Sequence, residues 1–96
     1  MNYQIIITEQ ADQNLENIGD YIAEDNPARA ISFIREIRGY LEERLSHFPF
    51  SAKLVTNTIR MLPYKRYSVL YIVDEEQKSV KILHIFAGGQ DWESII

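Results

Sequence analysis

Hydrophobic positions change their period twice along this chain. Tyr3 to Thr8 is a β-rich run with three consecutive isoleucines, Ile5, Ile6 and Ile7. Continuous rather than alternating apolarity predicts a strand covered on both faces. Thr8 ends the run and suits a helix N-cap. From Glu9 the period becomes helical: Ala11, Leu15, Ile18 and Ile22 form one apolar stripe over 9–24, with Asp12, Glu16 and Asp20 turned away. Asp25-Asn26-Pro27 is a restart, because Asn26 can cap and Pro27 loses no hydrogen bond at a first helical position. Ala30, Phe33, Ile34, Ile37, Leu41, Leu45 and Phe48 then keep helical spacing over 27–48 until Pro49 stops it. Arg38 and Glu42 are spaced for an i,i+4 pair. Gly39 marks a candidate close approach, and His47 sits where a cation suits the helix dipole. A link of two or three residues makes the two helices an antiparallel hairpin.

Beyond Pro49 the period becomes that of strands. Thr58–Leu62 is a short candidate, broken by Pro63 and Tyr64. Tyr67–Val73 alternates, with Tyr67, Val69, Tyr71 and Val73 on one face and Ser68, Leu70 and Ile72 on the other. Residues 74–78 read as a polar hairpin turn. Ser79–Ala87 places Val80, Ile82, His84 and Phe86 opposite Lys81, Leu83, Ile85 and Ala87. Gly88-Gly89 ends this strand and residues 90–96 form a tail. The order is β-α-α-β-β-β. It predicts an α+β domain spanning 1–96, with the helical hairpin packed on one mainly antiparallel sheet.

Composition narrows the chemistry. With 96 residues the chain is expected to form one domain. It has no cysteine, which removes disulfide scaffolds and thiolate catalysis. No apolar stretch approaches the ~20 residues that span a bilayer. The start lacks a basic leader, so a cytoplasmic location is the expectation. The net charge of −4 is unevenly spread. Residues 1–50 carry nine acids and four bases, and residues 74–96 five acids and two bases. Residues 51–73 carry Lys53, Arg60, Lys65 and Arg66 and no acid. An acidic chain repels nucleic acid at long range, so this basic island is the place for any phosphate contact. It can equally be a solvated face.

No phosphate-binding glycine loop or nucleophile elbow is present, and neither a metal nor a cofactor is expected. Arg60, Lys65 and Arg66 interleave with Tyr64 and Tyr67. That mixture serves base stacking or a protein-binding hot spot. His84 can act as an acid or base near neutrality, or be a satisfied half-buried residue. Trp92, beside Asp91, anchors the tail or makes a contact. Across the 74–78 turn, residues 67 and 87 come together. Arg60, Lys65, Arg66 and Tyr67 are therefore expected to share a surface with Gln90, Asp91 and Trp92. The alternative use of these groups is a surface salt bridge between Arg60 and Asp91.

The ordered series Ala11…Leu15…Ile18-Gly19-Asp20-Tyr21-Ile22, Asn26-Pro27…Ala30…Phe33, Leu45…Phe48-Pro49, Arg60-Met61-Leu62, Tyr67–Val73 and Val80–Phe86 resembles the RelE/ParE superfamily, toxins of bacterial type II toxin–antitoxin (plasmid stabilisation) modules. The helical hairpin and the ending are closer to the ParE branch. Gly88, Asp91 and Trp92 fit that branch, while Ala87 and Gln90 stand where histidine and arginine are common. The resemblance implies an inhibitor that binds a protein target, DNA gyrase. It also implies a cognate antitoxin lying in the hairpin groove near Tyr21, Ile31 and Tyr40, or along the sheet edge; a homodimer stays open. The alternative is a RelE-like, metal-independent nuclease cutting mRNA on the ribosome with Arg60, Lys65, Arg66, Tyr67 and His84. A third reading is an inactive relative kept for antitoxin binding.

Overall fold

The computed structural model of the chain describes residues 2–89 and 91–95. Strand β1 (Gln4–Ile7) leads into helix α1 (Glu9–Ala23) and helix α2 (Pro27–His47). Strands β2 (Lys53–Leu54), β3 (Ile59–Tyr64), β4 (Tyr67–Asp74) and β5 (Ser79–Ala87) follow, and a short 3-10 turn covers Trp92–Ser94. The sheet order is β1-β5-β4-β3-β2, with β1 parallel to β5 and every other pair antiparallel. This is the expected α+β architecture, with one strand more than the apolar pattern indicates.

Local chemistry explains the boundaries. The Thr8 hydroxyl accepts from the Ala11 amide and donates to the Ile82 carbonyl at 2.6 Å, so one side chain caps α1 and ties it to β5. The Asn26 side chain accepts from the Arg29 amide ahead of α2. The Phe48 amide closes onto Arg44, and the His47 ring lies 2.8 Å from the Glu43 carbonyl at the helix end. Pro63, expected to break β3, is part of it, paired with Ser68. β2 pairs β3 only at Arg60 and Met61, so proline's missing N–H faces an open edge there.

The helices cover one sheet face. Ala11, Leu15, Phe33, Ile37, Leu41 and Leu45 pack onto Leu62, Val69, Tyr71, Val80, Ile82 and Ile85. β1 is not covered on both faces as its isoleucine run suggests. It is an edge strand, with Ile5 and Ile7 on the core and Ile6 on the uncovered face. β5 departs from alternation at Leu83. Tyr71 faces Ile82 while Leu70 faces His84, so one residue bulges. His84 and Phe86 are thereby turned to the face opposite Val80 and Ile82. Phe48 is 61% exposed rather than in the α2 stripe, because it is the C-cap and its backbone has left the helix. Arg38 pairs with Asp12 of α1 at 2.6 Å rather than with Glu42. Gly39 has open space beside it; the close approach is at Gly19, where a Cβ would meet Ile34 at 3.5 Å.

Tyr71 joins helix to sheet. Its buried hydroxyl donates to the Pro49 carbonyl at 2.8 Å and accepts from the Ala52 amide at 3.4 Å. Burial raises the phenol pKa above its ordinary value. Tyr71→Phe leaves both backbone groups unpaired. We expect a loss of about 1–3 kcal/mol, seen as a fall in Tm of roughly 5–15 °C. Because the folded state holds the proton more tightly, wild-type stability should decline above pH ~10, where the unfolded phenol ionises. Thermal melts against pH should show that decline in the wild type and lose the Tyr71 share of it in the variant.

Candidate functional site

Two concave surfaces flank α1. The first lies where β5 outruns β1. β1 pairs β5 only over Ser79–Ile82, so from Leu83 onward the outer edge of β5 has no strand beside it. The Asn14 side chain accepts from the Ile85 amide at 3.0 Å, closing part of that edge. An open cavity of about 580 Å³ is bordered here by Asn14, Asn17, Ile18 and Tyr21 of α1, Arg66 and Tyr67 of the β3–β4 hairpin, His84–Ala87, and Ile95. The second, about 640 Å³, is the groove between α1 and α2, bordered by Leu15, Ala30, Ile31 and Ile34, with Asp12, Glu16, Asp20 and Arg38 along it. Ile31 is 64% exposed in that groove. Of the other two groups expected there, Tyr21 borders the first cavity, and Tyr40 stacks on Tyr64 at 4.7 Å.

The expected convergence of residues 67 and 87 is present: Tyr67 pairs with Ala87 in register. The Gly88 amide donates to the Arg66 carbonyl at 2.6 Å, and a Cβ on Gly88 would lie 3.1 Å from that oxygen. The corner is thus closed by a glycine that allows backbone to approach backbone. Lys65 has φ +54° in the tight hairpin turn. Its ammonium lies 3.3 Å from Glu36 and over the Tyr64 ring. Tyr67 packs on Phe33 at 5.4 Å. Arg66 is exposed, and among the described residues no carboxylate pairs with it.

The other expected residues are spread out. Arg60 faces the helices four residues down β3 from Tyr64, roughly 13 Å along the strand. Its guanidinium donates to the Ala52 carbonyl at 2.7 Å and the Phe50 carbonyl at 3.2 Å, so it makes no pair with Asp91. The Asp91 carboxylate caps the 3-10 turn by accepting from the Glu93 amide, and Trp92 is half-buried. Gln90 lies outside the described residues. His84 projects to the uncovered sheet face beside Leu70, whereas Tyr67 projects to the helix face. Of the five groups considered for RNA cleavage, Arg66, Tyr67 and His84 border one cavity, and Arg60 and Lys65 are engaged elsewhere. Among the described residues no three His, Asp or Glu side chains gather as a metal-binding group, and no helix is long and apolar enough to cross a membrane.

Two groups escape a reading of the sequence. Asn14 is a polar residue spaced three from Ala11 and four from Ile18, and its place beside the apolar stripe is the available signal. The exposed aromatics after α2 carry no such signal, because helical spacing assigns Phe48 to the core.

Comparison with known proteins adds the following. Residues 5–92 match the family model described as ParE toxin of the type II toxin–antitoxin system parDE. No curated protein sequence is a match. The fold is similar to the chromosomal ParDE system of P. aeruginosa, at 20% identity and TM-score 0.74 over 88% of this chain and 95% of that one. It is also similar to the RelBE2 toxin–antitoxin complex of Mycobacterium tuberculosis, at 19% identity and TM-score 0.70 over 94% and 95%. The isolated RelE toxin of E. coli aligns at 15% identity and TM-score 0.65 over 97% and 95%.

Glu36 is the electrostatic brace of this corner. The Arg29 guanidinium at 2.8 Å, and then the Lys65 ammonium, hold its carboxyl below the usual carboxylate range. The ionised form is favoured in the fold, so the brace is present at neutral pH and is lost as pH falls through that lowered value. Carboxyl NMR should place the Glu36 titration below the ordinary glutamate value. In Arg29→Ala it should move up toward the ordinary value.

Proposed function

The chain belongs to the ParE toxin family of type II toxin–antitoxin systems, and from that premise we propose that it arrests growth by binding a protein target, DNA gyrase, rather than by cutting RNA. One observation carries this reading: the groups available for RNA cleavage do not form a constellation. Cleavage at a 2′-hydroxyl needs a base, an acid and a cation around one phosphate. Here Tyr67 and His84 point to opposite faces of the sheet, and Arg60 spends its guanidinium on backbone carbonyls. Binding needs less convergence. Arg66, which has no carboxylate partner among the described residues, offers a planar cation at a tight hairpin beside Tyr67. The Gly88 amide donates to the Arg66 carbonyl, and the stretch carrying Gln90, Asp91 and Trp92 follows Gly88 in the sequence. Arg and aromatic side chains are the usual anchors of protein interfaces. Lys65 joins this surface when its link to Glu36 opens.

The cognate antitoxin occupies different ground. The α1–α2 groove offers exposed Ile31 with Leu15, Ala30 and Ile34, bordered by Asp12, Glu16 and Asp20. That pattern suits an amphipathic helix with cationic flanks. The outer edge of β5 beyond Ile82 suits an added strand. The solved toxin–antitoxin complex of similar fold supports such a partner.

The ribosome-dependent nuclease is the second reading, because Arg66, Tyr67 and His84 share a cavity border. Purified protein should inhibit gyrase supercoiling and leave mRNA intact in a ribosome-programmed translation mix; cleaved mRNA would overturn the proposal. Induced in cells, the wild type should arrest growth. Folded Arg66→Ala and Trp92→Ala variants should lose most of that arrest, while antitoxin still co-purifies with them. Full arrest by both would remove this surface from the target contact.

A further inference from the structure

The most exposed apolar ground outside the groove and the corner is at the end of α2. Phe48 is 61% exposed, Phe50 46% and Leu54 47%. They lie within residues 48–54, which the following contacts hold in place. Tyr3 meets Phe50 edge to face at 6.3 Å, and the Ser51 amide donates to the Phe48 carbonyl. Leu54 pairs in register with Arg60.

The patch is also cationic. The Arg44 guanidinium lies 5.9 Å over the Phe48 ring, Arg60 lies 5.1 Å over Phe50, and the Lys78 ammonium 5.3 Å over Tyr3. Arg44 hydrogen-bonds the Ser51 hydroxyl and Arg60 two backbone carbonyls. Among the described residues neither arginine has a carboxylate partner. Glu43, 3.8 Å from His47, is the carboxylate at the margin. On a chain of net charge −4, this end is a local reversal of sign with aromatic edges beside it. Arginine stacked on an aromatic ring keeps its in-plane N–H donors free for a carboxylate.

We propose that this patch docks an acidic segment of the protein on which the toxin acts, seated by an aromatic or long aliphatic side chain between Phe48, Phe50 and Leu54. Carboxylates of that segment engage Arg44 and the unspent donors of Arg60. The inference rests on the reading of the chain as an inhibitor that binds a protein. It also gives Arg60 a place in target recognition apart from the Arg66 corner. A protein segment fits better than a single-stranded nucleic acid, because arginines already lie over the Phe48 and Phe50 rings, leaving less ring face for a base to stack on, and Leu54 adds aliphatic surface.

The test uses a labelled peptide built of Glu, Asp, Phe and Leu, a control in which Lys replaces the acids, and the variants Arg44→Glu and Phe48→Ser, both at exposed positions. By fluorescence anisotropy the acidic peptide should bind the wild type, weaken with added salt, and lose about tenfold or more in affinity in each variant. Equal binding of the two peptides, or unchanged affinity in both variants, would overturn the docking site whether or not the chain arrests growth. In cells the same variants should lose growth arrest while antitoxin still co-purifies. Arrest equal to the wild type would overturn the assignment to the target. A wild type that arrests nothing would instead remove the inhibitor reading, and with it the target assignment, leaving the peptide result to decide the docking site alone. Circular dichroism melts within a few degrees of wild type keep a folding defect from imitating any of these results.

Discussion

The Tyr71 hydroxyl holds two buried backbone groups that have no helix or strand to satisfy them. The chain must leave α2, reverse, and enter the sheet within residues 48–52, and both the Pro49 carbonyl and the Ala52 amide turn inward there. In a buried setting an unmatched pair of this kind costs more than a typical hydrogen bond returns. Placing Tyr71 in the middle of β4, opposite Arg60, answers both groups with one atom. The Arg60 guanidinium then fixes the Phe50 and Ala52 carbonyls from the other side. The helical hairpin is thereby set on the sheet at one angle, and the α1–α2 groove, the β5 edge and the Arg66 corner all inherit their positions from it. The same reversal pushes Phe48 and Phe50 outward.

The bulge at Leu83 is the second decision in the architecture. Without it, His84 and Phe86 would follow Val80 and Ile82 beneath the helices. With it, Ile85 takes the inward position and its amide meets Asn14. Phe86 and Leu70 are buried on the uncovered face, flanked in register by Ser68, His84 and Met61. The histidine of the chain's last strand is therefore separated from Tyr67 by the thickness of the sheet.

The hairpin was legible from the sequence because helices advertise themselves twice, by spacing and by caps. Thr8, Asn26 and Pro27 mark starts that spacing alone would blur. β4 was legible for its strict alternation. What stayed hidden follows from features with no periodic trace. A two-residue strand such as Lys53–Leu54 is too short to show a period. A bulge inverts every later face assignment with no special residue at Leu83. Pro63 reads as a breaker unless one knows that β2 stops short of it. At the site, the meeting of residues 67 and 87 followed from counting across a turn. Arg60 misled because four residues of extended strand carry it roughly 13 Å from the corner, although it shares a face with Tyr64 and Tyr67.

The pairing of β1 with β5 bears on how the molecule comes into being. The Thr8 hydroxyl and the Ile82 carbonyl are 74 residues apart in the chain, and the parallel ladder beside them joins β1 to β5, with both helices and three strands between them in sequence. Contacts of such separation form late, whereas a helical hairpin closes on local contacts. During synthesis the hairpin can assemble while β1 waits, its isoleucines unpartnered, until β5 has left the ribosome. The β5 edge, the cavity beside it and the corner at Gly88 all come into existence at that final step. The surface built on β5 is complete only once that strand has been made, and a partner that recognises the earlier hairpin can be in place before it exists.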